Sequence, residues 1–498
     1  MNTFIQTVDQ PVKFNWEGSL FVHHSLGMVN RELLSELILD KRLDPGHIAY
    51  EPDQFLPGYS SKYQNLLKIN NRKISGAAVH IKHRWPPDFS KPDAERFILM
   101  QPWEFGSLPQ QWVDNINENV DEVWVYTSYL KMCYVQSGIP EEMVQVIPCG
   151  VDPLLFNPEI EPLQWVKEFS RGRFCFLFNG GTTVRKGIDI LINAYLSEFK
   201  ADEPVCLVVK DSNMYSKELA ARIRELALRN DIASICYTEE NIDYNRLPGL
   251  YTACDCYVHP YRAEGYGLPI AEAIACGKPA IVTGAGACLD FVEPDNAFFI
   301  KSTMEKIDEK NIGGLVTVDS PFGVVPDMKH LQEVMRYVFN HQQFAKELGL
   351  RAGQRIRSDH TWKHAARRAA ERIIAVASGN TESVWQLAAA AENYLQVGDL
   401  ENASVLYEKM IALFGDNGTA YQGLATIAFQ EKRYEEAFDL FRRTNLLMPD
   451  VSEILVKWYE VAKVLGRTDE LAKPTRRALE ICNNDYRLIQ LAEELFRG

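Results

Sequence analysis

The sequence predicts an α/β protein, with two Rossmann-like domains facing a cleft and an all-α repeat domain behind them. Three observations carry that reading. The chain has 498 residues, and a domain of roughly 150 residues makes this about three domains. From residue 14 to about 380, short β-rich runs alternate with helical stretches, the pattern of parallel sheets covered by helices. Beyond that point the strand-like runs stop and an internal repeat of 34 residues begins.

Hydrophobic residues make up 46% and charged residues 24% of the chain, a balance that excludes disordered and fibrous classes. With 53 basic against 67 acidic residues the formal net charge is -14. That argues against a nucleic-acid partner, because phosphate-backbone binding needs clustered Lys and Arg. A local pocket for an anionic ligand is compatible with it. The segment MNTFIQTVDQPVKFNWEG lacks the basic and apolar regions of a secretory signal. No run reaches the ~18 apolar residues of a transmembrane segment. The 10 cysteines show no CxxC spacing, and Cys254 and Cys256 lie in the strand-like run ACDCYV. Cys149, Cys175, Cys206 and Cys276 sit among apolar neighbours, as small hydrophobes do. A reducing, cytoplasmic compartment is expected, with peripheral association at the inner membrane face left open.

Residues 1–160 form the first expected domain, with SLFVHH, AAVHIKH, RFILMQP, EVWVYT and VQVIP as its strands. The run IPCGVDPLLFNPEIEP (147–162), dense in Pro and Gly, reads as the linker. Residues 161–380 form the second, with RFCFLFNGG, PVCLVVKD, SICYTE, CDCYVHPY and KPAIVTG as strands. The cleft between two such sheets is the expected site. In 381–498, VGDLENA from Val397, EKRYEEA from Glu431 and LGRTDEL from Leu465 recur at the tetratricopeptide period. Aligned on Ala403, Ala437 and Leu471, the middle repeat has Tyr421, Leu424, Ala425, Ala428, Phe441 and Pro449 at the pattern's usual places. Gly415 and Asn483 stand where the outer repeats would have that proline, and Tyr486–Phe496 reads as a capping helix.

Chemistry concentrates in RAEGYGLPIAEAIACGKPAIVTG (262–284). A strand ending near Val258 runs into a glycine-bearing turn, Pro269 stands at the start of a helix and Gly277 at its end. The amides of Gly265, Tyr266, Gly267 and Leu268 have no intrahelical partners and lie at the positive end of the helix dipole, where a diphosphate can bind. Glu264 on the loop can accept hydrogen bonds from sugar hydroxyls, and Glu272 in the helix from a ribose diol. The turn alone would be an ordinary strand-to-helix connection; the two flanking glutamates make it more specific. A second element, FNGGTTVRKGIDILINAY (178–195), reads as strand, glycine turn, basic pair and amphipathic helix. A cation there would neutralise charge growing on a departing diphosphate.

The segment from Glu264 to Glu272 resembles the E-x7-E signature of retaining family 4 glycosyltransferases of the GT-B fold. The runs 122–158 and 247–267 are similar to that family's approach to its linker and to its signature, and the resemblance spans 14–375. It implies that Glu264 contacts the donor sugar, Glu272 the nucleotide ribose and Lys186 the leaving diphosphate. The family's partner arginine would stand at Gly181. Arg185 is the alternative supply, or a solvated arginine at a helix start, and Lys210 is a third candidate. Gly27 would be the glycine of a flexible loop near the donor phosphate, or a plain turn glycine. A family histidine that contacts the donor sugar maps to His83 better than to His80; the two are expected on one strand face, which leaves the choice open. Trp103 and Glu104, in QPWEFGSLP, are the acceptor candidates, Trp103 alternatively a packing residue. Selection of the base is expected near Tyr237 and Thr238.

The resemblance further implies a nucleotide-diphosphate sugar as donor and retention of configuration, the leaving phosphate helping to deprotonate the acceptor hydroxyl. No metal or other cofactor is expected, since no Asp-x-Asp element follows a strand. The acceptor is expected to be a glycan or a protein, and the repeats to bind a protein partner. A non-catalytic scaffold with the same fold is the rival, and Gly181 in place of an arginine is its support.

Overall fold

The computed structural model describes residues 10–56, 61–211, 217–293, 296–379, 384–414, 417–448, 452–481 and 486–496. The chain divides into two compact units between Ala370 and Glu371, inside the helix Trp362–Ala377.

The first unit carries two six-stranded parallel sheets. One is built from β1 (Val12–Glu17), β2 (Leu43–Ile48), β3 (Val79–Lys82), β4 (Arg96–Met100), β5 (Glu122–Val125) and β6 (Val144–Val146), in the order β2-β1-β3-β4-β5-β6. The other is built from β7 (Phe174–Asn179), β8 (Val205–Lys210), β9 (Ser234–Thr238), β10 (Cys256–His259), β11 (Ala280–Thr283) and β12 (Phe298–Ile300), in the order β12-β11-β10-β7-β8-β9. Helices cover both faces of a doubly wound sheet, so its central strands are apolar throughout. All six residues of β7 are buried, and Phe174, Phe176 and Phe178 pack with Leu191, Tyr195 and Val258 in one core. In the second sheet the order reverses between β7 and β10, and loops leaving the carboxyl ends of strands at such a point diverge and leave a crevice.

The expected strands are present with one correction, and β2, β12 and two antiparallel pairs are additions to them. SLFVHH is irregular chain leading into the helix Ser25–Leu37; the strand precedes it, in VKFNWE. The apolar side chains of SLFVHH that suggested a strand, Leu20, Phe21 and Val22, are buried by that loop. LDPGHI forms β2 despite its proline and glycine, because an edge strand tolerates a missing donor. The segment after β12 adds antiparallel pairs, β13 (Ser302–Lys306) with β16 (Phe322–Pro326) and β14 (Asn311–Ile312) with β15 (Leu315–Val316).

The described residues of the second unit form helices and no strands. Helices begin at Val384, Gly418, Ser452 and Tyr486, each 34 residues after the last, and Leu400 and Tyr434 repeat the same interval. Ala403, Ala425, Ala428, Ala437, Phe441 and Leu471 are buried, and Tyr421 nearly so. Small residues let helices close up: a Cβ on Gly423 would meet the Tyr407 ring at 2.2 Å. Gly415, Pro449 and Asn483 lie outside the described residues. No helix among the described residues is long and apolar enough to cross a membrane.

Candidate active site

The loops that follow β7 and β10 meet at the reversal point. After β10, His259 to Gly267 lead into the helix Leu268–Ala275, whose N-cap is Gly267 at φ 98° and whose exit is Gly277 at φ 74°. After β7, a turn through Gly181 leads to Thr183, whose hydroxyl caps the short 3-10 turn Val184–Lys186. Gly187 follows at φ 74°, so close to the other loop that a Cβ would lie 1.8 Å from the carbonyl oxygen of Pro260. Only glycine permits that approach, which brings Arg185 and Lys186 against Glu264.

Glu264 is buried and accepts from Lys186 Nζ and, at 3.0 Å, from His259 Nε2. Burial alone would raise its pKa, but Lys186, His259 and Arg185 outweigh burial and hold the carboxyl well below the usual range. Burial lowers the pKa of Lys186, with Glu264 opposing. His259 is fully buried and stacked on Phe178, and the Tyr257 hydroxyl lies 2.7 Å from its Nδ1. With Nε2 donating to a carboxylate, Nδ1 of the neutral ring can accept from that hydroxyl, which also lies 3.1 Å from the Asn179 carbonyl. Burial lowers the pKa of His259.

Glu272, one helical turn into Leu268–Ala275, has a different environment. Its Oε2 accepts from the Tyr251 hydroxyl at 2.6 Å, which in turn accepts from Asn179 Nδ2 at 2.8 Å. Burial pushes its pKa up to about 8, against the Tyr251 hydrogen bond. Two carboxylates flank one helix start with their pKa values driven in opposite directions.

A cavity of about 120 Å³ is lined by Arg185, Lys186, Glu264 and Gly265–Pro269 from the second sheet domain, and by Ser25, Leu26, Glu104 and Tyr126 from the first. Arg185 donates to Glu104 Oε1 at 3.3 Å and to the carbonyl of Ala263 at 3.0 Å, and lies 3.8 Å from Glu264 Oε2. Thus Arg185 supplies a second cation beside Glu264 while Gly181, buried in its turn, has no side chain to offer. Asn179, Lys210 and Thr238 stand side by side at the ends of β7, β8 and β9. Lys210 is half-buried with its pKa lowered by burial, and its carbonyl accepts from the Gly180 amide. Beyond them Asp211 accepts from Thr182 and from the Tyr237 hydroxyl.

Other expected residues sit further back. Gly27 lies in the first turn of Ser25–Leu37, its amide donating to the capping His24 ring, while Ser25 and Leu26 reach the cavity. His83 is fully buried behind Tyr126: its Nδ1 donates to Asn30 Oδ1, and its Nε2 accepts from the Tyr126 hydroxyl at 2.6 Å. Burial pushes its pKa down to about 3. His80 turns away to Glu17 at 3.0 Å. Three residues apart on extended chain, the two histidines point to opposite sides, so they do not share a face. Trp103 is buried against Phe105 and Trp112, with Nε1 donating to the Ser107 carbonyl. That contact is packing, whereas its neighbour Glu104 reaches the cavity. Among the described residues no group of three or more His, Cys, Asp or Glu side chains is placed to hold a metal ion.

Sequence reasoning passed over His259, Tyr257, Tyr251 and Asn179. A histidine ending the apolar run CDCYV was a readable signal for the first; the tyrosines look like ordinary core residues until the fold aligns them.

Two parallel sheets and a phosphate-type helix start at their cleft define a GT-B protein. Residues 160–311, within the second sheet domain, match the family model described as glycosyl transferases group 1. Among curated relatives, mannosylfructose-phosphate synthase of Agrobacterium fabrum is 25% identical over 257 residues, 49% of each chain. A D-inositol 3-phosphate glycosyltransferase of Catenulispora acidiphila is 32% identical over 155 residues, 30% of this chain and 37% of that one. The matches therefore span half or less of these relatives' length. In fold, the chain is similar to a glycosyltransferase of Rickettsia africae (TM-score 0.54, 14% identity, 74% of this chain and 99% of that one). It is also similar to Anabaena HepE in complex with UDP and glucose (TM-score 0.52, 16% identity, 73% and 99%).

Proposed function

We propose that the chain is a retaining glycosyltransferase that moves a sugar from a nucleotide-diphosphate sugar to an acceptor hydroxyl on a glycan or a protein. The observation that carries this is the helix start at Gly267 with Lys186 and Glu264 on one side and Glu272 on the other. The Gly265–Leu268 amides and Lys186 hold the diphosphate, Glu264 accepts from sugar hydroxyls, and Glu272 takes the ribose diol. Lys186 and Arg185 offset negative charge as the diphosphate departs, which is where fixed charge accelerates transfer. The leaving phosphate then takes the acceptor proton, and no metal is required. Complexes of Anabaena HepE with UDP-glucose make a uridine nucleotide the first donor to try.

A thermal-shift screen against UDP-, GDP-, dTDP- and ADP-sugars tests the reading, followed by turnover of the stabilising donor in Glu264→Ala and Lys186→Ala. Loss of turnover in both supports it; parental activity in both overturns it in favour of a scaffold. Transfer that persists in EDTA supports metal independence, and an absolute Mn²⁺ requirement removes it.

We further infer that the helical unit is a tetratricopeptide domain that binds a polypeptide. Helices Val384–Gln396, Gly418–Gln430 and Ser452–Leu465 together line a polar hollow of about 460 Å³ with Gln396, Gln422, Gln430 and Glu453. Amide and carboxylate side chains of that kind can pair with an extended peptide backbone.

A further inference from the structure

Strand β16 lies beyond the residues that match the family model. One edge pairs with β13, Met304 opposite Val324. In an antiparallel strand successive residues bond to opposite sides, and the other edge of β16 is used by both halves of the cleft. The Phe322 amide donates to the Phe105 carbonyl at 3.1 Å, and two residues on, the Val324 amide donates to the Arg262 carbonyl at 2.8 Å. Phe105 follows Glu104, and Arg262 precedes Ala263 and Glu264.

The grip on the first loop is extended. Val318 donates to the Leu108 carbonyl at 2.9 Å, the Asp319 amide to Ser107 Oγ at 2.7 Å, and Thr317 bridges to Pro109. Gly106, at φ 71°, lies so close to Phe322 that a Cβ would come within 2.4 Å of its ring. On the second loop the Arg262 amide donates to the Arg185 carbonyl at 2.8 Å. The two loops on this edge thus carry the two carboxylates, Glu104 and Glu264, that flank the Arg185 guanidinium at 3.3 and 3.8 Å.

We propose that β16 is a positioning element that fixes the spacing of the Glu104 and Glu264 loops and so sets where Arg185 places its charge in the cleft. This rests on the reading of the cleft as a sugar-transfer site. Phe322→Pro and Val324→Pro each delete one amide that faces a loop and leave the β13 edge intact. Phe322→Pro is expected to speed deuterium uptake about tenfold across 102–108, and Val324→Pro across 262–266. Each is expected to lower kcat about tenfold on the donor found by thermal shift, with KM for that donor within about twofold. Adding Glu104→Gln to Phe322→Pro should cost no more than either alone, since both release Arg185. Unchanged uptake in both loops, or fully additive losses, would overturn the proposal. Phe322→Ala keeps the amide and removes only the ring over Gly106; it is the milder variant if the prolines do not fold, and is expected to loosen 102–108 alone. If the unmodified protein turns over no sugar nucleotide, the sugar-transfer reading fails, and the exchange data alone decide the role of β16.

Discussion

Glu264 and Glu272 sit at the two ends of one turn, are both buried, and have pKa values driven in opposite directions. Glu264 faces Lys186, Arg185 and His259, and stays ionised. Glu272 faces the hydroxyl of Tyr251, a dipole rather than a full charge, and burial carries its pKa to about 8. Burial costs both carboxylates the same kind of desolvation, so the difference lies in what each neighbour offers. A partner that brings full positive charge fixes an anion, whereas one that brings a dipole leaves the proton in place. The Glu264 side of the helix start thereby favours the charged form without a ligand, and the Glu272 side favours the neutral acid.

The largest expected consequence is in stability against pH. Burial pushes the folded pKa of Glu272 up to about 8 from the 4.5 of an ordinary glutamate. Between those values the folded state binds more protons than the unfolded one, so stability falls as pH rises from about 4.5 to 8, by roughly 5 kcal/mol in all. Glu264 has the opposite sign: its contribution is present above the unfolded pKa and is lost as pH falls below it. Equilibrium unfolding of Glu272→Gln should show the slope between pH 5 and 8 flattened, with the acid limb kept. An unchanged slope in that window would break the contrast.

Next in size is catalysis. Lys186→Ala is expected to lower kcat by about 100- to 1000-fold, the usual loss when one group that stabilises transition-state charge is removed. A loss of less than about tenfold in steady-state turnover would mean that Arg185 carries the charge on its own.

A smaller effect is expected in binding. A ribose diol that donates to Glu272 prefers the carboxylate, so nucleotide affinity should strengthen with pH up to about 8, by at most about tenfold per unit. Calorimetry in buffers of different ionisation enthalpy should register the released proton, and Glu272→Gln should abolish both effects.

How much of this was legible in the sequence follows from the kind of contact involved. Glu264, the glycine turn and Glu272 are close in sequence, so strand, turn and helix rules place them without a tertiary model. Lys186 could be placed because Gly187 and the basic pair form a local motif as well. Arg185 as a partner of Glu104 depends on residues 81 apart meeting across the cleft, and no local pattern encodes that. His83 was legible as a strand-end histidine, but its place behind Tyr126 is set by Asn30 from another element. The β13–β16 segment was missed because its strands are short and half-exposed, with glycines and a proline that read as loop. The 34-residue spacing was easy to read because it repeats, and repetition needs no knowledge of contacts.

The smallest effect distinguishes the two carboxylates through their tyrosines. Tyr251 touches Glu272 directly, whereas Tyr257 reaches Glu264 only through His259. Tyr251→Phe removes a donor from Glu272 and leaves Asn179 Nδ2, itself buried, without that acceptor. A loss of about 1–2 kcal/mol in unfolding free energy is expected. Since the Tyr251 hydrogen bond lowers the Glu272 pKa, the pH midpoint of nucleotide binding should also move upward. Tyr257→Phe should cost a similar amount of stability without moving any midpoint, because Lys186 still faces Glu264 and keeps it ionised. Titrating nucleotide affinity against pH in the two variants checks this; equal midpoints would show that the charge state of Glu272 is set by burial alone and that Tyr251 only packs against it.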